Sequence, residues 1–264
     1  MFALGLALAA LIGLSLGLLG GGGSILTVPV FVYVLGIAAK PAIAMSLPVV
    51  GVTSVLSAAL HWRLGNVRLG IAIPFGVLAM AGAFAGAKLS VLMSGPAQLA
   101  LLAVVMLAAA GAMLRGGVSD ARAPTTPRVA LIAPVALGVG VLTGLVGIGG
   151  GFLVVPALVL LAGVPMRQAV GTSLLVIAMN SASGFAGHVG TVPIDWAFLA
   201  GFTAVAVAGA LAGTALAEHV PQATLKRAFA LFLLAMGGFV LHQSRDVFRG
   251  IAGRDPAAAN APAE

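Results

Sequence analysis

Apolar residues in this chain come in long unbroken runs rather than at helical or strand intervals. The runs lie roughly at 2–19, 24–39, 42–61, 69–87 and 97–114, then at 129–146, 151–165, 168–188, 196–217 and 224–241. Polar residues gather in the joints and in one linker, "RGGVSDARAPTTPR" at 115–128. Runs of this kind predict membrane helices. The apolar–polar alternation of membrane barrel strands is missing. Two runs, 24–39 and 151–165, are only about 15 residues long, whereas a full span needs about 20. Each follows a glycine cluster, residues 20–23 in "GLLGGGGSILTVPV" (17–30) and 147–151 in "GLVGIGGGFLVVPA" (144–157), and each contains a proline, Pro29 or Pro156. Glycine costs a helix interior about 1 kcal/mol relative to alanine. The clusters therefore predict non-helical breaks, and backbone of that kind survives at membrane depth only when buried in protein or lining a wet cavity.

The two clusters belong to a longer internal match. A shift of 127 positions places Gly17, Leu18, Gly20, Gly22, Gly23, Leu26, Val28 and Pro29 on identical residues at 144–156. The same shift carries Gly36 to Gly163, Lys40 to Arg167, Ser46-Leu47 to Ser173-Leu174, Ser54 to Ser181 and His61 to His188. One constant offset over most of a half signals duplication. The reading is an all-α polytopic membrane protein of two repeats with five apolar segments each and Gly-broken short helices. Residues 1–114 form the first transmembrane repeat, 115–128 a cytoplasmic linker, 129–244 the second repeat and 245–264 a flexible tail. Ten spans make the repeats inverted, whereas eight spans with re-entrant short segments make them parallel. Basic residues divide eight to five in either case. Ten spans are preferred because inverted symmetry suits alternating access.

Composition reinforces the solvent assignment. Of 264 residues, 61% are hydrophobic and 7% charged, with mean hydropathy +1.19; a soluble domain carries about 25% charged residues. Lipid is the solvent. The first run has no basic residues before it, so it reads as a membrane helix rather than a cleaved signal peptide. The absence of cysteine excludes disulfides, thiolate metal sites and cysteine catalysis. A net charge of +7 fits the positive-inside bias of membrane proteins, and no basic cluster is interleaved with aromatics as nucleic-acid binding would require. No cofactor or metal is expected.

The candidate chemistry is that of an anion site. Short helices after a break offer free N–H groups and a positive dipole end. This singles out Gly20, Gly21, Gly22, Gly23 and Ser24, with Gly149, Gly150 and Gly151 in the second half. Close helix packing is the plainer use of such glycines. "KPAIAMSLPVVGVTS" (40–54) aligns with "RQAVGTSLLVIAMNS" (167–181), and Ser46 and Thr53, like Ser173 and Asn180, stand seven residues apart on one helical face. With Ser54, Thr172 and Ser181 they form a polar stripe, able either to donate to substrate oxygens or to bond helices together. Lys40 and Arg167 read as interfacial cations, and "GAFAG" (82–86) and "GALAG" (209–213) as packing faces. Of six acidic residues, Asp120, Glu218, Asp246, Asp255 and Glu264 fall in the linker, loops or tail. His61, His188 and Asp195 are then the groups available for coupling or gating.

"GLLGGGGSILTVPV", "GLVGIGGGFLVVPALVLLAGVPMRQAVGTSLLVI" and "GHVGTVPIDW" resemble the TauE/SafE sulfite exporter family, also called the toluene sulfonate uptake permeases, over residues 3–241. The resemblance implies a multi-pass permease of the bacterial inner membrane for sulfite, sulfonates or sulfoacetate-like anions, with export the expected direction. Its partners are the small anionic substrate and the lipid bilayer, with a homodimer left open and no nucleic acid. The first half departs from the family pattern in Met45-Ser46 and in "GNVRL" (65–69), so the two half-sites are not chemically equivalent. An anion channel of the same architecture and an intramembrane serine hydrolase are the alternatives. The hydrolase lacks a G-x-S-x-G elbow.

Overall fold

A computed structural model describes residues 2–90, 92–93, 95–115, 129–146, 151–186 and 194–243. Among them every regular element is helical. The first half holds α1 (Phe2–Leu19), α2 (Gly22–Pro29), α3 (Ala39–Arg63), α4 (Leu69–Ser90) and α5 (Gly95–Arg115). The second holds α6 (Val129–Val146), α7 (Gly151–Pro156), α8 (Met166–Ala186), α9 (Trp196–His219) and α10 (Gln222–Gln243). Five stretches are long and apolar enough to cross a membrane, Pro41–Arg63, Leu69–Gly86, Met166–Ala186, Trp196–His219 and Gln222–His242. The other apolar helices are shorter, Leu4–Leu19 and Gly22–Val34 among them. This is an all-α polytopic membrane fold.

The two short helices end alike. Pro29 and Pro156 supply no N–H, and a proline ring crowds the carbonyl four residues back. Each is followed by a π-helical turn, Val30–Val34 or Ala157–Leu161. The wider register closes with Leu35 N–H donating to the Val30 carbonyl (3.0 Å) and Ala162 N–H to that of Ala157 (3.2 Å). Gly36 (φ +69°) and Gly163 (φ +68°) then turn the chain through the left-handed region.

Glycine contacts fix helix direction. Gly13 faces Ala206 and Gly17 faces Ala210, while Gly209 faces Ala10 and Gly213 faces Leu14, so α1 and α9 run the same way. Gly82 lies against Leu137 and Gly86 against Val141, while Gly140 faces Ala79 and Gly144 faces Ala83, so α4 and α6 are parallel too. At each of these glycines a Cβ would run into partner backbone, such as the Leu137 oxygen 2.5 Å from the Gly82 position. Helices in lipid gain little from apolar burial and associate through such close backbone approach. By contrast α3 and α8 are antiparallel, with Gly51 against Ser181, Leu47 against Gly184 and His61 against Gly171. α4 follows α8, since Arg68 meets Thr172 and Gly76 meets Met179. α2 folds back along α1, with Gly23 on Ile12 and Leu16. An edge-to-face pair of Phe31 and Phe202 (centroids 4.9 Å), with Phe198 beside them, pins the end of this hairpin to α9.

Gly140 and Gly138 provide a test on one helix. Gly140→Ala should cost about 1–3 kcal/mol of stability, because its Cβ meets the Ala79 carbonyl and only backbone movement relieves it. Gly138 has nothing within 4 Å, so Gly138→Ala should be neutral or gain up to about 1 kcal/mol. Thermal unfolding in one detergent, followed by circular dichroism, checks the pair.

Candidate functional site

The break after α1 is two residues long. Gly20 (φ +79°) reverses the chain and Gly21 precedes α2, whose first turn contains Gly22, Gly23 and Ser24. Glycine is required at Gly20 twice over. The left-handed backbone disfavours any Cβ, and a Cβ there would lie 2.7 Å from Ser173 Oγ and 3.1 Å from Val170 Cα on α8. At Gly21 a Cβ would lie 2.6 Å from Phe152 Cα and 2.7 Å from the Gly151 oxygen, so the starts of α2 and α7 touch through backbone. Gly151 in turn faces Ile177 of α8 and, at 3.2 Å from its own Cβ position, Ser24 Oγ. Both short helices and α8 thus converge on one buried junction. Gly21 offers no side-chain cap to α2. Gly149 and Gly150 lie outside the described residues.

A helix end leaves carbonyls unserved. Here Gly21 N–H turns to the Leu19 carbonyl (3.0 Å), which deprives the Gly17 carbonyl of its usual donor. The buried His61 ring fills that place, with Nε2 at 3.4 Å from the Gly17 oxygen, and its Nδ1 has no partner. His61 therefore reaches the break from the far end of α3. His188 lies outside the described residues. Asp195 is exposed and caps α9, its Oδ1 accepting from Phe198 N–H at 3.0 Å.

The polar stripe divides by what each group does. Ser46 donates to the Ile43 carbonyl (2.7 Å), Thr53 to that of Val49 (2.6 Å) and Ser173 to that of Val170 (2.8 Å). Ser24 likewise donates to the Gly21 carbonyl (2.7 Å). Each of these hydroxyls must rotate off its own helix before it can donate to a ligand. Thr172 accepts from the backbone N–H of Arg68 (3.1 Å) and so ties α8 to the start of α4. Ser54 and Ser57 are fully buried without partners, and the Asn180 Oδ1 also has none. Ser181 is buried against Gly51. Among the described residues no three or more of His, Cys, Asp and Glu are gathered as metal ligands would be.

A polar cluster that the sequence reading did not assemble stands just beyond this junction. Glu218 belongs to the last turn of α9 rather than to a loop, and its Oε1 accepts from Asn66 Nδ2 at 2.6 Å. Arg68 Nε donates to Gln168 Oε1 at 2.6 Å. Arg167, expected as an interfacial cation, caps α9 by donating to the carbonyls of Glu218 (2.8 Å) and Val220 (3.0 Å). The one available signal was the i,i+4 spacing of Thr214 and Glu218, which puts a carboxylate on the helix face that meets Gly17.

Removing the Thr172 hydroxyl should show its worth. Thr172→Val keeps the shape and leaves the half-buried Arg68 N–H without its partner, at a cost of about 1 kcal/mol in stability. Ser46→Ala deletes only a bond within its own helix and should cost less. Unfolding midpoints of the two variants make the comparison.

Family comparison covers almost the whole chain. The family model for the sulfite exporter TauE/SafE matches residues 5–240. A probable membrane transporter protein of Xylella fastidiosa (strain Temecula1) is 33% identical over 242 residues, 89% of this chain and 92% of the relative. The probable membrane transporter protein YdhB of Bacillus subtilis is 27% identical over 240 residues, 88% of this chain and 96% of its own length. A further probable membrane transporter protein, from Haemophilus influenzae, is 28% identical over 255 residues. No solved structure matches the chain significantly. With two short helices meeting inside a multi-pass bundle, and a family match from one end of that bundle to the other, the chain belongs to the sulfite exporter TauE/SafE family.

Proposed function

We propose that this protein is a carrier that exports a small monovalent sulfur oxyanion, such as hydrogen sulfite or a sulfonate, across the bacterial inner membrane. The observation that carries this reading is the junction where α2 and α7 begin against each other and against α8. The first N–H groups of a helix have no partner within it, and they attract anions. Sulfite and sulfonate oxygens need little beyond N–H and O–H donors. Ser24 and Ser173 lie at that point, and Ser54 is a buried hydroxyl with no partner. Ser46, Thr53, Thr172, Asn180 and Ser181 are the further candidate donors of this reading. A single negative charge keeps the desolvation cost down.

Helix direction supports alternating access. α1 runs with α3, since Gly5 meets Leu35 just before α3 and Gly17 meets His61 near its end, and α3 against α8, α8 with α4 and α4 with α6 then make α1 antiparallel to α6. This relation fits an inverted duplication, an architecture that suits alternating access around a fixed site. Basic residues favour the linker side as cytoplasmic. The membrane potential is worth about 2.3 kcal/mol per charge per 100 mV and drives a monoanion outward. Among the described residues Glu218 is the one carboxylate inside a spanning stretch, and Asn66 already holds it, which argues against sodium coupling through carboxylates; His61, His188 and Asp195 are the groups available for any proton dependence.

Purified protein in sealed proteoliposomes tests the reading. Sulfite, thiosulfate, sulfoacetate, taurine and sulfate are offered with and without pH and sodium gradients. Saturable, potential-driven and sodium-independent flux of sulfite or a sulfonate is expected, and Gly20→Ala should reduce it at least tenfold. Macroscopic current without saturation would make the protein a channel, and a strict sodium requirement would overturn the coupling scheme.

A further inference from the structure

We propose that Asn66, Arg68, Gln168 and Glu218 form a latch that shuts the linker-side end of the substrate pathway and must part before that end opens. The proposal rests on the carrier reading for what the pathway conducts. Its geometry stands apart from that reading. Asn66 and Arg68 lie in the joint between α3 and α4, whereas Gln168 is in the first turn of α8 and Glu218 in the last turn of α9. Both side-chain bonds, Asn66 to Glu218 and Arg68 to Gln168, are 2.6 Å long and cross from one half of the sequence to the other. Any movement that parts the α3–α4 joint from α8 and α9 must stretch or break them.

The latch is stacked directly on the helix junction. Reading back along α8, Ser173 faces Gly20 at the break, Thr172 holds the Arg68 N–H, and Gly171 lies against the Asn66 carbonyl (2.5 Å from its Cβ position). One turn further out, Gln168 holds the Arg68 side chain. Asn66 N–H also donates to the His61 carbonyl at 2.8 Å, so the latch is joined to the helix whose histidine reaches the broken end of α1.

The bonding suits a device that opens and closes. Each bond pairs one charged group with one neutral amide, at sites that are half-buried rather than sealed. Such bonds are stronger than neutral ones but carry no buried ion pair whose separation would strand two charges. At Gly65 (φ +75°) the joint turns in open space, with nothing within 4 Å of its Cβ position. The latch is also one-ended. The residues 127 positions away from Asn66, Arg68, Gln168 and Glu218 are Pro193, Asp195, Pro41 and Val91, which cannot rebuild either bond. The opposite end must close by other contacts, which gives a duplicated fold two unlike ends.

Because the chain has no cysteine, a Ser24→Cys variant carries a single reporter at the junction. Its rate of labelling by a membrane-impermeant methanethiosulfonate is measured in right-side-out and inside-out vesicles. Adding Asn66→Ala with Gln168→Ala should raise labelling from the linker side at least tenfold and lower it from the other side. Gln168→Glu, which gives Arg68 a carboxylate partner, should slow linker-side labelling at least threefold and does not depend on the truncations folding. Unchanged linker-side rates in the truncation variant and in Gln168→Glu would overturn the latch. A rise on the linker side without a fall on the other would support the latch and sink the alternating carrier, leaving a gated channel.

Discussion

Everything in this molecule answers to one constraint: a helix interrupted inside a bilayer leaves backbone donors and acceptors that lipid cannot serve. The break at Gly20 and Gly21 is tolerable because it is buried from every side. Ser24 takes the Gly21 carbonyl, His61 approaches the Gly17 carbonyl, and the start of α7 and the second turn of α8 close over the rest. No side chain larger than hydrogen fits where Gly20 meets Ser173 or where Gly21 meets Phe152. Breaking the helix there also leaves the first N–H groups of α2 without partners inside it.

That shelter requires the two halves to be held firmly, and the glycine faces of α1 with α9 and of α4 with α6 do so. Backbone meets backbone along both pairs, so neither can slide without collision. The α3–α8 contact is built differently. There Gly51 meets Ser181 and Leu47 meets Gly184, and α3 also carries fully buried hydroxyls at Ser54 and Ser57 with no partner. Unpartnered buried hydroxyls are expensive in a static core, and are better placed where water or ligand comes and goes.

Much of this architecture was legible in the chain. The apolar runs gave the helices within a few residues, the glycine clusters with Pro29 and Pro156 marked the short interrupted helices, and the paired glycines of "GAFAG" and "GALAG" lie where backbones touch. Two local details moved. The break is narrower than the cluster, because once Gly20 turns the chain Gly22 and Gly23 are free to start α2. The prolines produce π-helical turns rather than simple ends.

What the sequence determined by itself was therefore what contiguous residues encode: how long each apolar run is, where glycine permits a reversal, where proline removes a donor. Tertiary structure decided which groups meet. Asn66 and Glu218 are 152 positions apart, and nothing in either neighbourhood announces the other. Arg167 looks like any interfacial cation until α9 ends beside it. Likewise the stripe of hydroxyls was visible as a stripe, but only the packed helices decide that Ser46, Thr53 and Ser173 bond within their own helices while Thr172 holds α4. Hydrophobic length and backbone freedom are local properties, whereas a hydrogen bond between distant segments exists only once the fold has set its distance and direction.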